Sequence, residues 1–219
     1  MNPNNDWLTK SRCTFGKIDH RFCISTEHGQ QLVIDFDLNH IDYFRKRHRG
    51  FQELIAKSLG LSSKKNRILD LSAGLGIDSV FLSQLGAKVT AIERHPAIHF
   101  LLYQAKELSK RMDLAELQFI CADSKQFLLS SDIGSQFDAI YFDPMYPDKK
   151  KTALPRKEMV IFRNLVGDDT DSDEVFKIAL EKNPGRLVVK RPVHADYIAN
   201  EKPIHSFTGK TVRFDLYSR

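Results

Sequence analysis

Two patterns of apolar and polar positions divide this chain. In the first, residues 11 to 38 hold short runs of strict alternation, Arg21 to Ser25 and Gln31 to Asp37, on either side of Thr26-Glu27-His28-Gly29-Gln30. That pattern predicts a β-hairpin. Residues 41 to 60 follow with a helical period that stops at Gly60. The polar stretch Ser62-Ser63-Lys64-Lys65-Asn66 marks a boundary, so residues 1–60 are expected to form a β-rich appendage with a helix and residues 61–219 the main domain.

In the second pattern, short apolar runs alternate with longer amphipathic ones. Strands are predicted at Arg67 to Leu71, Lys88 to Ile92, Leu117 to Cys121, Phe137 to Phe142 and Arg186 to Lys190. Helices are predicted after Gly76, over Pro96 to Lys110 with a proline in the first turn, over Lys125 to Leu129, and within 155 to 182 with a break near Gly167. Ile204 to Phe207 and Val212 to Tyr217, around Thr208-Gly209-Lys210, read as a closing antiparallel pair. Strand and helix alternating in this way predict an α/β, Rossmann-like parallel sheet with helices on both faces and an antiparallel last strand.

In such sheets ligands bind beyond the carboxyl ends of the strands. Four consecutive predicted strands end at or near an acid: Asp70, Glu93, Asp123 and Asp143. Gly74 and Gly76 after the first strand allow a tight turn and a close approach of ligand to backbone. An ordinary strand-to-helix turn has the same two glycines. Glu93, 17 residues past Gly76, stands where an acid accepts both hydroxyls of a ribose. A nicotinamide dinucleotide and S-adenosylmethionine both carry that ribose, and three details favour the second. Ser79 replaces the third glycine of the dinucleotide pattern. Asp70 would repel a pyrophosphate but suits an ammonium group. Asp123 is placed to meet an adenine amine, although a helix N-cap at Ser124 would use an aspartate equally well. A metal site is not expected, because no histidine stands near these acids at a ligand spacing.

The run Asp143-Pro144-Met145-Tyr146-Pro147 carries the most specific chemistry. The exocyclic amine of a base is a poor nucleophile, because its lone pair is delocalised into the ring. Hydrogen bonds from that amine to the Asp143 carboxylate and the Pro144 carbonyl favour a tetrahedral nitrogen, and Tyr146 can stack on the ring. Asp143, Pro144 and Tyr146 are therefore the candidate catalytic residues, with Met145 as packing. Lys149, Lys150, Lys151 and Arg156 flank the loop, Arg45, Lys46, Arg47 and Arg49 form an acid-free cluster, and Lys190 and Arg191 end the fifth strand. All are candidate phosphate contacts beside the target base, and all have an alternative reading as solvated surface.

Composition narrows the class. A chain of 219 residues with 42% hydrophobic residues holds one substantial core and an appendage. Mean hydropathy is -0.36, and no run approaches the ~20 apolar residues of a membrane span. Met1 to Lys10 lacks the pattern of a secretory signal. Cys13, Cys23 and Cys121 form no C-x-x-C pair, which predicts a reduced, cytoplasmic protein without structural zinc. The net charge of +5 is compatible with a polyanion partner and does not single one out.

The segment Asp70-Leu71-Ser72-Ala73-Gly74-Leu75-Gly76-Ile77-Asp78 resembles the cofactor loop of class I methyltransferases. Several further segments together resemble the ribosomal RNA small subunit methyltransferase J family: Glu93-Arg94, Asp143 through Leu154, Lys157-Glu158-Met159, Leu165-Val166-Gly167, Val188 through Pro192 and Arg213-Phe214-Asp215. The likeness runs from about Leu32 to Tyr217, and the Asp-Pro-Met-Tyr-Pro core is its distinctive part. It implies a Rossmann-like enzyme that methylates the N2 amine of one guanine in 16S rRNA of the small ribosomal subunit. It also implies S-adenosylmethionine contacts at Ile77, Asp78, Glu93, Arg94, Asp123, Ser124 and Asp143. The family pattern has Thr at Ser72 and Arg at Ile77, and a glycine-rich stretch where Arg47-His48-Arg49 stands here. Three rivals remain at this point: methylation of another planar amine, in DNA or a protein glutamine; a non-catalytic RNA-binding module with a vestigial cofactor site; and a nicotinamide-dependent oxidoreductase, which predicts binding of that dinucleotide instead.

Overall fold

A computed structural model describes residues 13–37, 53–62, 66–145, 157–167, 169–182 and 185–218. Ten strands are assigned among them. β1 (Cys13–Ile18), β2 (Arg21–Thr26) and β3 (Gln31–Val33) form an antiparallel three-stranded sheet rather than the expected hairpin. The extra strand enters through Asp19 and His20, whose φ values of 46° and 67° make a two-residue turn. Such turns usually announce themselves with glycine, so Asp-His gave little warning.

The second sheet has seven strands: β4 (Arg67–Asp70), β5 (Lys88–Glu93), β6 (Leu117–Cys121), β7 (Ala139–Phe142), β8 (Leu187–Pro192), β9 (His205–Thr208) and β10 (Val212–Tyr217). Their spatial order is β6-β5-β4-β7-β8-β10-β9. The first five pair in parallel, and β10 runs antiparallel between β8 and β9. The carboxyl ends of the five parallel strands therefore share one edge. The chain reverses its direction of winding between β4 and β7, the position where an open sheet leaves a crevice.

Alternate residues of each strand enter opposite cores. Ile68, Tyr141, Val188 and Phe214 face one core, and Leu69, Ile140, Val189 and Tyr217 face the other. β7 is buried at all four positions, as a central parallel strand must be. The first core takes α2 (Ile77–Gln84) and α3 (Pro96–Leu108), and with them the N-terminal sheet. Phe15 and Phe22 each meet the Phe100 ring edge-on, with centroids 5.4 and 4.9 Å apart, and Phe36 stacks on Phe119. The second core takes α4 (Ser124–Ser130), α5 (Ile133–Gln136) and α7 (Ser172–Glu181). Two further helices, α1 (Leu54–Ser58) and α6 (Lys157–Val166), stand at the crevice. At the antiparallel side, Asp215 is fully buried and accepts from Arg213 Nε at 2.9 Å and from Ser206 Oγ at 2.6 Å. Arg213 also donates to the carbonyls of Pro192 and Val193, which pins β10 to the end of β8.

Among the described residues no helix is long and apolar enough to cross a membrane, and no group of three or more His, Cys, Asp or Glu is arranged to hold a metal.

Candidate active site

A cavity of about 610 Å³ opens at the carboxyl ends of β4, β5, β6, β7 and β8. It is the crevice that the strand order anticipates. Gly74, Ile77, Asp78, Glu93 and Arg94 line it, as do Asp123, Ser124, Asp143 and Pro144. Residues chosen from four separate strand ends thus converge on one space.

The loop after β4 is shaped by two acids. Asp70 Oδ1 accepts the Ser72 N–H at 2.9 Å, and its Oδ2 accepts the Ser79 hydroxyl at 2.5 Å. Glu93 accepts the Gly74 N–H at 3.1 Å and the His95 N–H at 2.8 Å. Burial pushes both carboxyls up to about 7, against the pull of those donors. The loop turns through left-handed backbone at Gly74, φ 54°, and Gly76, φ 77°. At Gly76 a Cβ would stand 2.8 Å from Leu102 Cδ2 and 3.2 Å from Phe36 Cζ, so only glycine fits.

Two expectations need correction here. Asp70 and Gly76 do not line the cavity. Asp70 is 1% exposed and accepts from Ser72 and Ser79, so it holds the loop. Gly76 acts through packing behind the loop. Asp123 caps α4 by accepting the Gln126 N–H at 3.0 Å, and it also lines the cavity. Ser124 Oγ donates to the Leu71 carbonyl at 2.6 Å, which ties α4 to the loop after β4.

The segment after β7 is held from both sides. Ser72 Oγ accepts the Asp143 N–H at 2.7 Å, and Asp169 Oδ2 accepts the Met145 N–H at 2.6 Å. Pro144, between them, has no N–H. Asp169 also pairs with Arg94, whose other guanidinium nitrogen bonds Asp171 at 3.1 Å. Burial works to lower the Arg94 pKa, but the charges of Asp169 and Asp171 outweigh it and hold it above the ordinary value. Asp169 and Asp171, which were not among the expected site residues, line the cavity as well. Their sequence signal is charge density, which does not say where a loop folds back.

Lys190 and Arg191 also require correction. Lys190 turns inward, with Nζ 2.7 Å from Asp78 Oδ2 and 2.9 Å from Asp143 Oδ2. Arg191 is 1% exposed and donates to the Asp196 carbonyl. Burial, with Arg213 beside it, pushes Arg191 down to about 10. A cation spent on two carboxylates and a guanidinium sealed in the sheet are not a phosphate-gripping surface. The remaining expected sites, Tyr146, Arg45, Lys46, Arg47, Arg49, Lys149, Lys150, Lys151 and Arg156, lie outside the described residues.

The cavity's chemistry suits a cationic nucleoside. Carboxylates come from several strand ends, while Lys190 and Arg94 are already paired with acids. Ribose hydroxyls and an adenine amine are donors, which acids at Glu93 and Asp123 accept. A pyrophosphate would meet those same acids and be repelled. Leu71, Ile92, Phe142 and Val175 supply an apolar floor for a planar ring. The donor set therefore fits S-adenosylmethionine and disfavours a dinucleotide.

Comparison with known proteins agrees. A family profile described as a putative SAM-dependent methyltransferase matches residues 17–219. A ribosomal RNA small subunit methyltransferase J of Bdellovibrio bacteriovorus is 52% identical over 85% of this chain and 73% of its own length. The chain belongs to that family. The enzyme of the same name from Thioalkalivibrio sulfidiphilus is 38% identical over 85% of this chain and 75% of its own. Among solved structures, a SAM-dependent methyltransferase of Neisseria gonorrhoeae superposes with a TM-score of 0.72 at 30% identity, covering 90% of this chain and 79% of that one. A putative methyltransferase of Escherichia coli, 15% identical, shares the fold with a TM-score of 0.51. As a member of the methyltransferase J family, the chain is a SAM-dependent methyltransferase.

Proposed function

We propose that this chain transfers a methyl group from S-adenosylmethionine to the exocyclic N2 amine of a guanine in 16S rRNA of the small ribosomal subunit, in the cytoplasm. The observation that carries the amine is the acceptor character of residues 143–145. The N–H groups on either side of Pro144 are bonded to Ser72 and Asp169, and Pro144 has none. What this segment offers a substrate is the Asp143 carboxylate and the Pro144 carbonyl. Acceptors alone at a reacting position select a group with two hydrogens to give, such as an NH₂.

The bound cofactor supplies an electrophilic methyl on a sulfonium. Glu93 and Asp123 hold the ribose and adenine ends, and Ile77 and Asp78 line the same cleft. Asp143 and Pro144 orient the amine, and Tyr146 stacks on the base. Because the two acceptors withdraw the amine hydrogens from the plane of the ring, the nitrogen lone pair turns toward the cleft. Alignment is the main task, since a nucleophile held at ~3–3.5 Å reacts as if at very high concentration. Lys149 to Lys151, Arg156 and the Arg45 to Arg49 cluster are the proposed phosphate contacts.

The names of the relatives support the ribosomal substrate, and the acceptor segment supports an amine over a ring carbon or a hydroxyl. The test is methyl incorporation from labelled S-adenosylmethionine into small-subunit RNA, DNA and total protein, followed by nucleoside analysis. N2-methylguanosine in the RNA is expected. Label confined to DNA or to protein glutamine would overturn the reading. Charge reversal at Lys149 to Lys151 should weaken RNA binding and flatten its salt dependence, and an unchanged slope would move the RNA elsewhere on the surface.

A further inference from the structure

The interior ends of β7 and β8 and the first turn of α2 hold a row of four polar groups. The Asp143 carboxylate is followed by the Lys190 ammonium, the Asp78 carboxylate and the Tyr141 hydroxyl. Lys190 Nζ stands 2.9 Å from Asp143 Oδ2 and 2.7 Å from Asp78 Oδ2. Tyr141 donates to that same Asp78 oxygen at 2.6 Å. One cation therefore serves two carboxylates, and a phenol fixes the far one.

We propose that Lys190 is a positioning residue for methyl transfer, which keeps Asp143 ionised and occupies its Oδ2 so that Oδ1 is left to accept the amine. The inference rests on the function proposed above and assigns the groups behind its acceptor.

Asp143 must be a carboxylate to do its work. A protonated carboxyl presents an O–H to the amine, and two donors facing each other repel. Its surroundings favour that wrong state. Burial raises Asp143, Lys190 opposes the rise, and Asp78 and Asp169 add to it, leaving the carboxyl above its ordinary range. The groups facing it are Lys190 from β8, Asp78 from α2, Asp70 from the end of β4, Tyr141 from β7 itself and Asp169 from the segment before α7. Lys190 is the cation in that ring. Burial works to lower it, but Asp78 and Asp143 outweigh burial and hold it protonated.

A lysine suits the position for a geometric reason. Its ammonium is a compact charge with three donors, able to reach two carboxylates from different elements. Asp78 has its own role here. By binding Lys190 from the opposite side, and being bound in turn by Tyr141, it fixes where the ammonium sits. It also remains ionised: burial works to raise it, but the Lys190 charge and the hydrogen bonds from Lys190 and Tyr141 hold it below the ordinary range.

The test titrates the Asp143 carboxyl by carbon NMR in full-length, S-adenosylmethionine-bound protein, with the resonance assigned through Asp143→Asn. It is run in the wild type, Lys190→Met, Lys190→Arg and Asp78→Asn, alongside the pH profile of single-turnover methyl transfer to small-subunit RNA. Lys190→Met should move the Asp143 titration and the acid limb of the rate upward by about one pH unit or more, as loss of a contacting opposite charge does. Its rate at pH 7 should fall at least tenfold. Lys190→Arg should restore most of the shift. Asp78→Asn should move the titration downward, because a like charge is lost while Lys190 remains. Opposite shifts from the two sides of Lys190 are not the result of general loosening. Titrations that stay where the wild type has them overturn the proposal, however far the rates fall. If Lys190→Met loses its near-ultraviolet circular dichroism, Asp78→Asn decides alone by the same criterion. A wild type that binds cofactor but methylates no guanine would overturn the function proposed above, while the titrations still decide whether Lys190 holds Asp143.

Discussion

The Asp169 carboxylate accepts the backbone N–H of Met145 at 2.6 Å, across a sequence separation of 24 residues. It also pairs with Arg94 at the end of β5. One side chain thereby joins the end of β5 to the segment after β7. Asp169→Ala should slow methyl transfer by ~10-fold or more, the worth of one hydrogen bond to a charged acceptor at about 1.5–3 kcal/mol. Asp169→Asn keeps an oxygen for Met145 and weakens only the Arg94 pair, so it should retain most of the rate. Equal losses in the two variants, measured under single turnover, would show that the pair with Arg94 is what matters.

Glu93 should make cofactor binding sensitive to pH. Its carboxyl is held up to about 7 by burial, opposed by the N–H groups of His95 and Gly74. Ribose hydroxyls donate to the ionised form, so binding should weaken as pH falls through that value. The expected loss is up to about tenfold per pH unit below 7, one proton being released on binding. Calorimetry with S-adenosylmethionine at pH 6 and 8 reads it. Glu93→Gln should bind weakly at both, with the pH dependence gone. A dependence that persists in Glu93→Gln would place the titrating group elsewhere.

The same two buried acids predict how stability changes with pH. Asp70 rises from 3.8 to about 7 on folding, and Glu93 from 4.5 to about 7. Between those values the folded chain binds more protons than the unfolded chain, so their contribution is full below the lower value and is lost as pH rises through the upper one. The ligand-free melting temperature should therefore fall between pH 5 and 8. Each kcal/mol lost corresponds to roughly 2–4 °C for a chain of this size. Asp70→Asn cannot ionise and should flatten part of that slope. An unchanged slope would show that Asp70 does not titrate in this window.

Gly76→Ala should destabilise the fold by ~1–3 kcal/mol. Its φ of 77° is strained for any residue with a Cβ, and that atom would stand 2.8 Å from Leu102 Cδ2. Adding Leu102→Ala removes the clash but leaves the backbone strain and a cavity, so the double variant should not regain wild-type stability. A Gly76→Ala protein that melts with the wild type would refute the close approach.

The strands and the edge they share were legible because buried parallel strands read as apolar runs, and four of the five runs stopped at or near an acid. Glu93, Asp123 and Asp143 could be placed on one cavity from that alone. Lys190 could not. Its contacts are Asp78, 112 residues earlier, and Asp143, and a cation at a strand end looks the same in sequence whether it meets solvent or carboxylates. Asp70 is a second case. Its position at a strand end was legible, but the bonds that Ser72 and Ser79 give its carboxylate were not. Local sequence carries the order of elements, whereas the partner of a side chain is settled by which elements fold together.

Phe36, under Gly76, has a consequence for inheritance. It belongs to the segment that follows the small N-terminal sheet, yet its ring lies where a Cβ on the cofactor loop would meet it. Residues 36, 76 and 102 thus form one contact drawn from three distant parts of the chain. A chimaera of two relatives spliced at the polar boundary near residue 62 would take the ring from one parent and the loop from the other. Recombination there should succeed only between parents that match at all three positions, so the apparent seam is a poor place to cut.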